Sequence, residues 1–328
     1  MPEQHVVRLG TRRSALATTQ SGWVAERLRE LGLQVELVEI TTQGDVSAAP
    51  LTTIGGTGVF ASAIREALLD GRVDCAVHSL KDLPSAPEPG LVIAAVPRRE
   101  DPRDALCARD GLTLGELPAG AVVGTGSPRR AAQIAALGLG VELVPIRGNV
   151  DTRLQHVRDG RCDAVVLAMA GLSRLGLRDV VTEALDPVQV LPAAGQGALA
   201  LECREDHPLR EVFARVEDPE TRACVEAERG LLARLEAGCT APVGALAEVV
   251  ESEDGLELSL RAFVGSADGS DGLRRSLTGS WTDPRDLGHR LADLLLEDGA
   301  AELAGVGSGL GSPGGVGQTA HQSTDHPA

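Results

Sequence analysis

A lysine and an aspartate stand next to each other at the end of an apolar run, and among the 328 residues they are the pair best suited to chemistry. Residues 73–77 alternate in side-chain character, which predicts a β-strand with one face in a core. Four polar side chains follow at once: His78, Ser79, Lys81 and Asp82. Ligands of open α/β sheets bind just beyond the carboxyl ends of strands. Lys81 is also the only lysine in the chain. We therefore expect Lys81 and Asp82 to belong to a site, with a surface ion pair worth about 0–1 kcal/mol as the alternative.

Composition and charge exclude several classes of protein. The formal net charge is −16, aromatic residues make up 2% of the chain, and tyrosine is absent. A nucleic-acid-binding protein needs a basic surface and often aromatic stacking platforms, so we expect no nucleic-acid partner. No apolar run approaches the roughly 18 residues of a membrane span, and residues 1–8 lack an apolar signal core. We expect a cytoplasmic protein without membrane contact.

The six cysteines form no CxxC pair. Four of them lie in or beside strand-like runs, namely Cys75, Cys107, Cys162 and Cys203. This is typical of buried thiols in a reducing compartment, so we expect neither disulfides nor a metal site. Cys239 differs from these four, because the glycine before it is a natural helix terminator and places the thiol on a loop.

Two strand-to-helix turns carry the same residue types. Residues 7–14 and 122–130 each contain a strand, Gly-Thr, a serine, paired arginines and the start of a helix. Ser14 and Ser127 are suited to cap these helices, and capping alone is the alternative to a binding role. Residues 71–77 and 160–166 form a second pair of similar segments. The repetition predicts two similar α/β domains facing each other, with arginines at both helix N-termini in a cleft for a multiply charged anion.

The chain is expected to cross between these domains twice, at about residues 97–102 and 192–197, which would make a double hinge. From residue 218 we expect a smaller α+β unit with a helix at 219–235, three strands and a last helix. The predicted division is 1–98 with 197–216 for domain 1, 102–192 for domain 2, 218–305 for domain 3, and a disordered tail over 306–328.

Over about residues 5–305 the chain resembles the porphobilinogen deaminases, also called hydroxymethylbilane synthases. The matching stretches are Gly10–Ser14, Val77–Asp82, Arg99–Asp104, Gly124–Arg130, Arg147–Arg153, Ala170–Arg174, Leu191–Gly197 and Gly238–Cys239. So many motifs in one order make a chance match very improbable. The resemblance implies an α/β fold with two domains like periplasmic binding proteins, a double hinge between them, and a smaller α+β C-terminal domain that carries a cysteine loop.

The resemblance also implies a transferase reaction of heme biosynthesis. Cys239 would hold a dipyrromethane cofactor through a thioether bond. Four porphobilinogen molecules would be added in turn with loss of ammonia, and water would release the linear tetrapyrrole. Asp82 matches the family's catalytic aspartate, which would stabilise the cationic azafulvene left by ammonia loss and shuttle pyrrole protons.

Each pyrrole unit carries an acetate and a propionate, which explains why an acidic protein would gather arginines in one cleft. The side chains that the resemblance assigns to these carboxylates are Arg12, Ser14, Lys81, Thr125, Ser127, Arg129, Arg130, Arg147, Arg153 and Arg174, with Arg13 beside them. By the same resemblance Ser79 lies in the cleft, Gln196 lies at the hinge, and Phe60 closes over the incoming ring.

The chain departs from the family pattern at a few positions. Gln43 and Thr57 stand where arginine and lysine are common, which removes positive charge from the loop side of the cleft. Gly126 and Ala237 stand where serine and glycine are common.

Two other functions compete with this one. The first is a non-catalytic two-lobed anion receptor, which has no need of a cysteine on a third domain. The second is a cysteine hydrolase, which needs a histidine base beside Cys239. His78 is the one histidine that we can place in the cleft. From the family we expect a monomer.

Overall fold

The computed structural model describes residues 6–41, 61–237, 241–253, 255–266 and 268–304. The predicted glycine-rich loop with Thr57 and Phe60 lies outside the described residues, as do Gln43, Cys239 and the predicted tail over 306–328.

The first unit is a mixed sheet covered by helices. Its strands are β1 (Val6–Thr11), β2 (Gln34–Glu39), β3 (Cys75–Ser79), β4 (Leu91–Ala95) and β10 (Leu199–Arg204), in the order β2-β1-β3-β10-β4. The helices are α1 (Ala15–Glu30), α2 (Ser62–Leu69) and the short α6 (Arg210–Phe213). Strand β1 pairs in parallel with β2 and β3, whereas β10 pairs antiparallel with β3 and β4.

The second unit repeats this plan. Its strands are β5 (Asp104–Ala108), β6 (Val122–Thr125), β7 (Glu142–Pro145), β8 (Ala164–Ala168) and β9 (Glu183–Ala184), in the order β7-β6-β8-β5-β9. The helices are α3 (Pro128–Ala136), α4 (Val150–Arg158) and α5 (Met169–Arg174). Strand β6 is parallel to β7 and β8, and β5 is antiparallel to β8 and β9. The two sheets therefore share one topology, as the repeated segments predict.

The chain passes between the two sheets twice. After β4 it enters the second sheet at β5, and after β9 it returns to the first sheet at β10. In each sheet the strand that follows a crossing is the antiparallel one. The two crossing segments, around residues 97–103 and 185–198, both connect the first sheet to the second. They contact each other, because the backbone N–H of Glu100 donates to the carbonyl of Gly197 (3.2 Å).

The third unit is a three-stranded antiparallel sheet with two long helices. It comprises α7 (Pro219–Arg234), β11 (Val243–Ser252), β12 (Gly255–Gly265), β13 (Gly272–Ser280), α8 (Pro284–Glu297) and α9 (Ala300–Ala304). Asp218 and Asp283 cap α7 and α8, and each is followed by a proline at the first helical position. These are the local signals from which helix starts can be predicted. The α/β class with a smaller α+β unit is confirmed.

Both faces of the first sheet are buried. Cys75 and Val77 pack with Val24 and Leu28 of α1 on one face, whereas Ala76 packs against α2 on the other. The prediction of one core-facing side for residues 73–77 was therefore incomplete. Val73, which precedes β3, packs with Ala76 against α2. Both faces are buried because helices cover each side of a sheet with parallel strands.

A buried ion pair joins the third unit to the crossing segments. Glu228 of α7 is fully buried, and its carboxylate accepts from Arg99 Nη1 (2.7 Å) and from the backbone N–H groups of Gly195 (2.6 Å) and Ala247 (3.0 Å). A buried carboxylate is tolerated when it is paired and hydrogen-bonded in this way. Glu228 therefore fixes α7 to both crossings. Among the described residues, no helix has the length and apolar character needed to cross a membrane.

Candidate functional site

The Lys81–Asp82 pair lies on a single turn of 3-10 helix, Leu80–Asp82, directly after β3. Leu80 is buried and its backbone N–H donates to the Ala198 carbonyl (3.0 Å), so the turn is fixed to the segment that leads into β10. Lys81 is half-buried and Asp82 is exposed. The turn thus holds two opposite charges at the carboxyl end of a buried strand, as the sequence predicts.

Three predicted site residues line one small cavity. Arg12, Ser79 and Asp82 are among its walls, and its volume is about 30 Å³. Ser79 Oγ donates to Gln20 Oε1 of α1 (3.2 Å), which orients the serine. A cavity of this size holds about one water molecule. Arg12 and Asp82 therefore come from separate strand ends to the same space.

A buried polar network lies behind this cavity. His78 Nε2 is 3.0 Å from Glu202 Oε2, and Arg65 Nη2 donates to Glu202 Oε1 (2.8 Å). Burial opposes ionisation of Glu202, but the contacts with His78 and Arg65 keep its pKa below the ordinary value. His78 thus lies beside a buried carboxylate.

On the second sheet, two of the predicted carboxylate-binding arginines share one buried aspartate. Arg129 Nη1 lies 2.7 Å from Asp104 Oδ2, and Arg130 Nη2 lies 2.7 Å from Oδ1. Further donation goes from Arg129 to the Leu191 carbonyl and from Arg130 to the Val166 carbonyl. Burial opposes ionisation of Asp104, but the two guanidinium groups hold its pKa well below the usual range. The cluster contains two cations and one anion, so it carries positive charge.

Gln196 connects this cluster to the lysine turn. Its Oε1 accepts from Lys81 Nζ (3.3 Å), and its Nε2 donates to Asp104 Oδ1 (2.8 Å) and to the Pro102 carbonyl (2.7 Å). The side chain is almost fully buried. One amide therefore spans from the first sheet to the second across the crossing segments.

Burial lowers the pKa of Lys81 from 10.5 to about 8. Asp82 and Asp104 oppose this change, whereas Arg130 and Arg129 add to it. A lysine in partly desolvated surroundings near other cations loses its proton more easily. At Lys81, desolvation together with Arg129 and Arg130 thus outweighs the two carboxylates.

Three further arginines extend the positive region. Burial lowers the pKa of Arg153, and the charges of Arg130 and Arg147 lower it further. The guanidinium groups of Arg130, Arg147 and Arg153 therefore lie close enough to repel one another. Arg153 Nε donates to the Gly148 carbonyl (2.9 Å). Arg174 Nη2 donates to the Gly197 carbonyl (2.6 Å), beside Gln196, and burial lowers its pKa.

The serines and threonine of the predicted site cap helices and turns. Ser14 Oγ accepts from the Ala17 N–H (3.3 Å), and Ser127 Oγ accepts from the Arg130 N–H (3.4 Å). Thr125 Oγ1 accepts from the Ser127 N–H (3.2 Å). These contacts confirm the two predicted N-caps.

Glycine at position 126 has a steric reason. A Cβ atom there would lie 2.7 Å from the Ile146 carbonyl oxygen, which is closer than real contacts allow. The strand-to-helix turn and the segment after β7 approach each other too closely for a serine without a backbone shift.

The sequence did not single out several residues that organise the site. Asp104, Glu202 and Glu228 are buried carboxylates that pair with arginines 25–137 positions away. Their only sequence signal is an acidic residue within an apolar strand or helix face. Arg13, named with the cleft arginines, forms an exposed ion pair with Glu39 (3.4 Å). Cys239 and Phe60 lie outside the described residues. Within the ranges described, no cluster of three or more His, Cys, Asp or Glu side chains could hold a metal ion.

The fold and the site together define an α/β protein with two similar sheets, a buried arginine cluster, and one amine beside one exposed carboxylate after a strand end. Comparison with protein families gives a specific assignment. Residues 7–211 match the family model described as porphobilinogen deaminase, dipyromethane cofactor binding domain, and residues 222–297 match porphobilinogen deaminase, C-terminal domain. The chain belongs to the porphobilinogen deaminase family.

Individual relatives agree with this assignment. The chain is 60% identical over 303 residues to a porphobilinogen deaminase of Nocardia farcinica, covering 90% of this chain and 87% of the relative. It is 59% identical over 304 residues to a porphobilinogen deaminase of Mycobacterium tuberculosis, covering 91% and 98%. Among solved structures, the methionine binding protein MetQ aligns with a TM-score of 0.40 and 15% identity, over 64% of this chain and 89% of that chain.

Proposed function

We propose that this chain condenses four porphobilinogen molecules, each with loss of ammonia, into the linear tetrapyrrole hydroxymethylbilane. The reaction is a transferase reaction (EC 2.5.1.61) primed on a dipyrromethane that is bound covalently through Cys239. Membership of the family and about 60% identity to enzymes of this name over nine-tenths of the chain support the proposal.

The observation that carries the proposal is the charge around Gln196. Lys81, Arg129 and Arg130 are three cations, and Asp104 and Asp82 are the carboxylates that counter them. Desolvation, with a smaller effect of neighbouring arginines, lowers the pKa of Lys81 to about 8 and also lowers the pKa of Arg129 and Arg153. A ligand with several carboxylates would supply further negative charge to these cations. The acetate and propionate groups of dipyrromethane and porphobilinogen meet this requirement.

The cofactor therefore fits the described residues. Its carboxylates would be held by Lys81, Ser127, Arg129, Arg130 and Arg153, since guanidinium groups bind carboxylates in a planar, two-point manner. When bound, the dipyrromethane supplies the pyrrole carbon to which the first substrate is joined. Arg12, Ser14, Thr125, Arg147 and Arg174 remain assigned to cofactor or substrate carboxylates.

Asp82 is the proposed catalytic residue. It is exposed at the wall of the cavity that Arg12 also lines, and its backbone turn is held by buried Leu80. A fixed carboxylate there would stabilise the positive charge that develops when the substrate loses ammonia, and would accept and return pyrrole protons. Ser79, oriented by Gln20, and Gln196 would keep the turn in place, and Phe60 is proposed to cover the incoming ring.

The division into domains 1–98 with 197–216, 102–192 and 218–305 is retained as part of the proposal. The return of β10 to the first sheet supports it. Five buried free cysteines support a reducing, cytoplasmic location. We propose a monomer that acts on a small molecule, without nucleic-acid, membrane or metal partners.

The intact mass of the purified protein, measured beside a Cys239→Ser variant, tests the proposal. We expect an added mass equal to two porphobilinogen units less two ammonias in the wild type and none in the variant. A bare wild-type mass that stays unchanged after incubation with porphobilinogen would contradict the proposal and favour an anion receptor.

A further inference from the structure

A second cavity lies apart from the one that Arg12 and Asp82 line. Its volume is about 520 Å³, within the range of roughly 300–1,000 Å³ that small-molecule sites occupy. It lies between β4, the segment after Asp82, and the helices α7 and α8. It shares no lining residue with the cavity of Arg12 and Asp82. A ligand in one cavity would therefore leave the other open.

Aliphatic side chains form one wall of this interdomain cavity. Val92 and Ile93 of β4 line it and are half-buried, so they keep surface that a ligand can cover, whereas Leu80, Val96 and Val225 behind them are buried. Such a wall gains free energy when it is covered by an apolar group rather than by water.

Four arginines and three glutamates line the cavity, and Arg229 of α7 is the arginine without an ion pair among the described residues. Its Nη1 and Nη2 donate to the backbone carbonyls of Leu83 (3.1 Å) and Pro84 (2.6 Å). It forms no ion pair with any described carboxylate. A guanidinium has five N–H donors, so three remain for another acceptor. Burial lowers the pKa of Arg229 to about 10, and the neighbouring charges of Arg285 and Arg65 act in the same direction.

The other arginines of the cavity are already paired. Arg65 Nη2 contacts Glu202 (2.8 Å), and Arg222 Nε contacts Glu217 (2.7 Å). Arg285 stands at the exposed mouth, 3.5 Å from Glu226. Arg229 is thus the arginine of the cavity that forms no ion pair within 4 Å with any described residue, although Glu202 and Glu226 act on its charge from a greater distance.

We propose that the interdomain cavity is a second ligand site, which takes a small organic carboxylate with an apolar body. The carboxylate binds Arg229, and the apolar part covers Val92 and Ile93. An apolar surface beside a guanidinium that forms no ion pair with the described residues is complementary to this chemistry. The anion accepts hydrogen bonds from the side of Arg229 that does not bind the Leu83 and Pro84 carbonyls.

Naphthalene-2-carboxylate is a suitable probe, with naphthalene-2-methanol as its uncharged counterpart. Binding to the full-length holoenzyme is measured by titration calorimetry. We expect saturable binding of the carboxylate, weakened about 10–100-fold in Arg229→Gln and retained within a few-fold in Arg229→Lys, because loss of a charge-assisted contact has this effect. The alcohol should bind the wild type and Arg229→Gln alike.

Two further variants keep the test independent of folding effects at Arg229. Ala233 is an exposed rim residue of α7, so Ala233→Trp should block the cavity without disturbing the core. Arg147→Leu removes a cation of the other site and should leave probe binding unchanged. The proposal is overturned if the carboxylate shows no saturable binding, or if both Ala233→Trp and Arg229→Gln bind it as the wild type does; loss of binding in Arg147→Leu alone would assign the probe to the other site and would also overturn it.

Discussion

Lys81, on the turn after β3, and Asp104, in β5 of the second sheet, are joined through a single amide, because Gln196 accepts from the Lys81 ammonium and donates to the Asp104 carboxylate. The first contact holds the lysine turn and the second belongs to the arginine cluster. The relative position of these two groups of charges therefore depends on one buried side chain in a crossing segment.

Replacing Gln196 with leucine should impair catalysis more than folding. The change removes the acceptor for Lys81 and a donor for Asp104 and Pro102 while keeping an apolar volume. We expect product formation to fall about 10–100-fold, since small displacements of positioned groups have effects of this size. Single-turnover rates with porphobilinogen would measure it. Gln189→Leu is the matched control, because Gln189 is exposed. A full wild-type rate in Gln196→Leu would contradict the positioning role.

Asp104→Asn should destabilise the fold strongly. Arg129 and Arg130 are both buried, and without Asp104 their charges lack a counterion. Loss of one partner of a buried ion pair typically costs about 3–5 kcal/mol. Urea unfolding of the variant would measure the change. The exposed pair Asp159–Arg161 provides the control, and Asp159→Asn should change the free energy of unfolding by about 0–1 kcal/mol. Equal effects of the two changes would refute the cluster's role.

The contribution of Asp104 to stability should depend on pH in acid. Its folded-state pKa lies below the ordinary value of about 3.9, so the folded state binds fewer protons there than the unfolded state. The stabilisation is fully present above the unfolded pKa and is lost as pH falls towards the folded one. The difference in unfolding free energy between wild type and Asp104→Asn should be constant above about pH 5 and shrink below it. A difference that grows in acid would show that the sign is wrong.

Lys81 can be followed alone because it is the only lysine. Reductive methylation with ¹³C-formaldehyde would label Lys81 and the N-terminal amine, and NMR titration would give the pKa values. We expect Lys81 of a cofactor-free Cys239→Ser protein to titrate near the value of about 8, and to shift upward in the holoprotein as a carboxylate approaches.

The lowered pKa of Lys81 also makes the stability of the cofactor-free protein depend on pH. Between about 8 and 10.5 the unfolded state binds more protons at Lys81, so this group's contribution to stability rises with pH across that window. The unfolding free energy of the cofactor-free protein, relative to a Lys81→Met variant, should therefore increase over this range. A measured Lys81 pKa near 10.5 would contradict a desolvated environment for this side chain.

Asp82→Asn should abolish turnover while the protein keeps its fold and its bound cofactor. Asp82 is exposed, and loss of its charge should cost catalysis at least about 10²–10⁴-fold, the usual range for a positioned acid, base or electrostatic group. Rates of product formation and intact mass together give the test. Asp70→Asn, at the exposed Asp70–Arg72 pair, is the control. An unimpaired rate in Asp82→Asn would remove Asp82 from the mechanism.

Local signals along the chain were sufficient for much of the fold. Ser14, Ser127 and Asp218 start helices because each satisfies a backbone N–H three residues away, an interaction that adjacent sequence determines. The repeated segments predicted two sheets of one plan, because each repeat is a complete strand–turn–helix unit. The position of Lys81 and Asp82 was also predicted from local sequence, because the alternating pattern of residues 73–77 ends just before a run of polar side chains.

Other features depend on contacts between distant parts of the chain. The spacing of residues does not indicate that Arg129 and Arg130 share Asp104, that Gln196 spans from Lys81 to that cluster, or that Arg229 faces a cavity without a carboxylate partner. These pairings are set by how the sheets and helices pack. Packing also decides which charges lose their water, and desolvation is what moves the pKa of Lys81. Sequence by itself therefore determined the elements and the residue types of the site, and only the tertiary structure decided which charges are matched and which are left for a ligand.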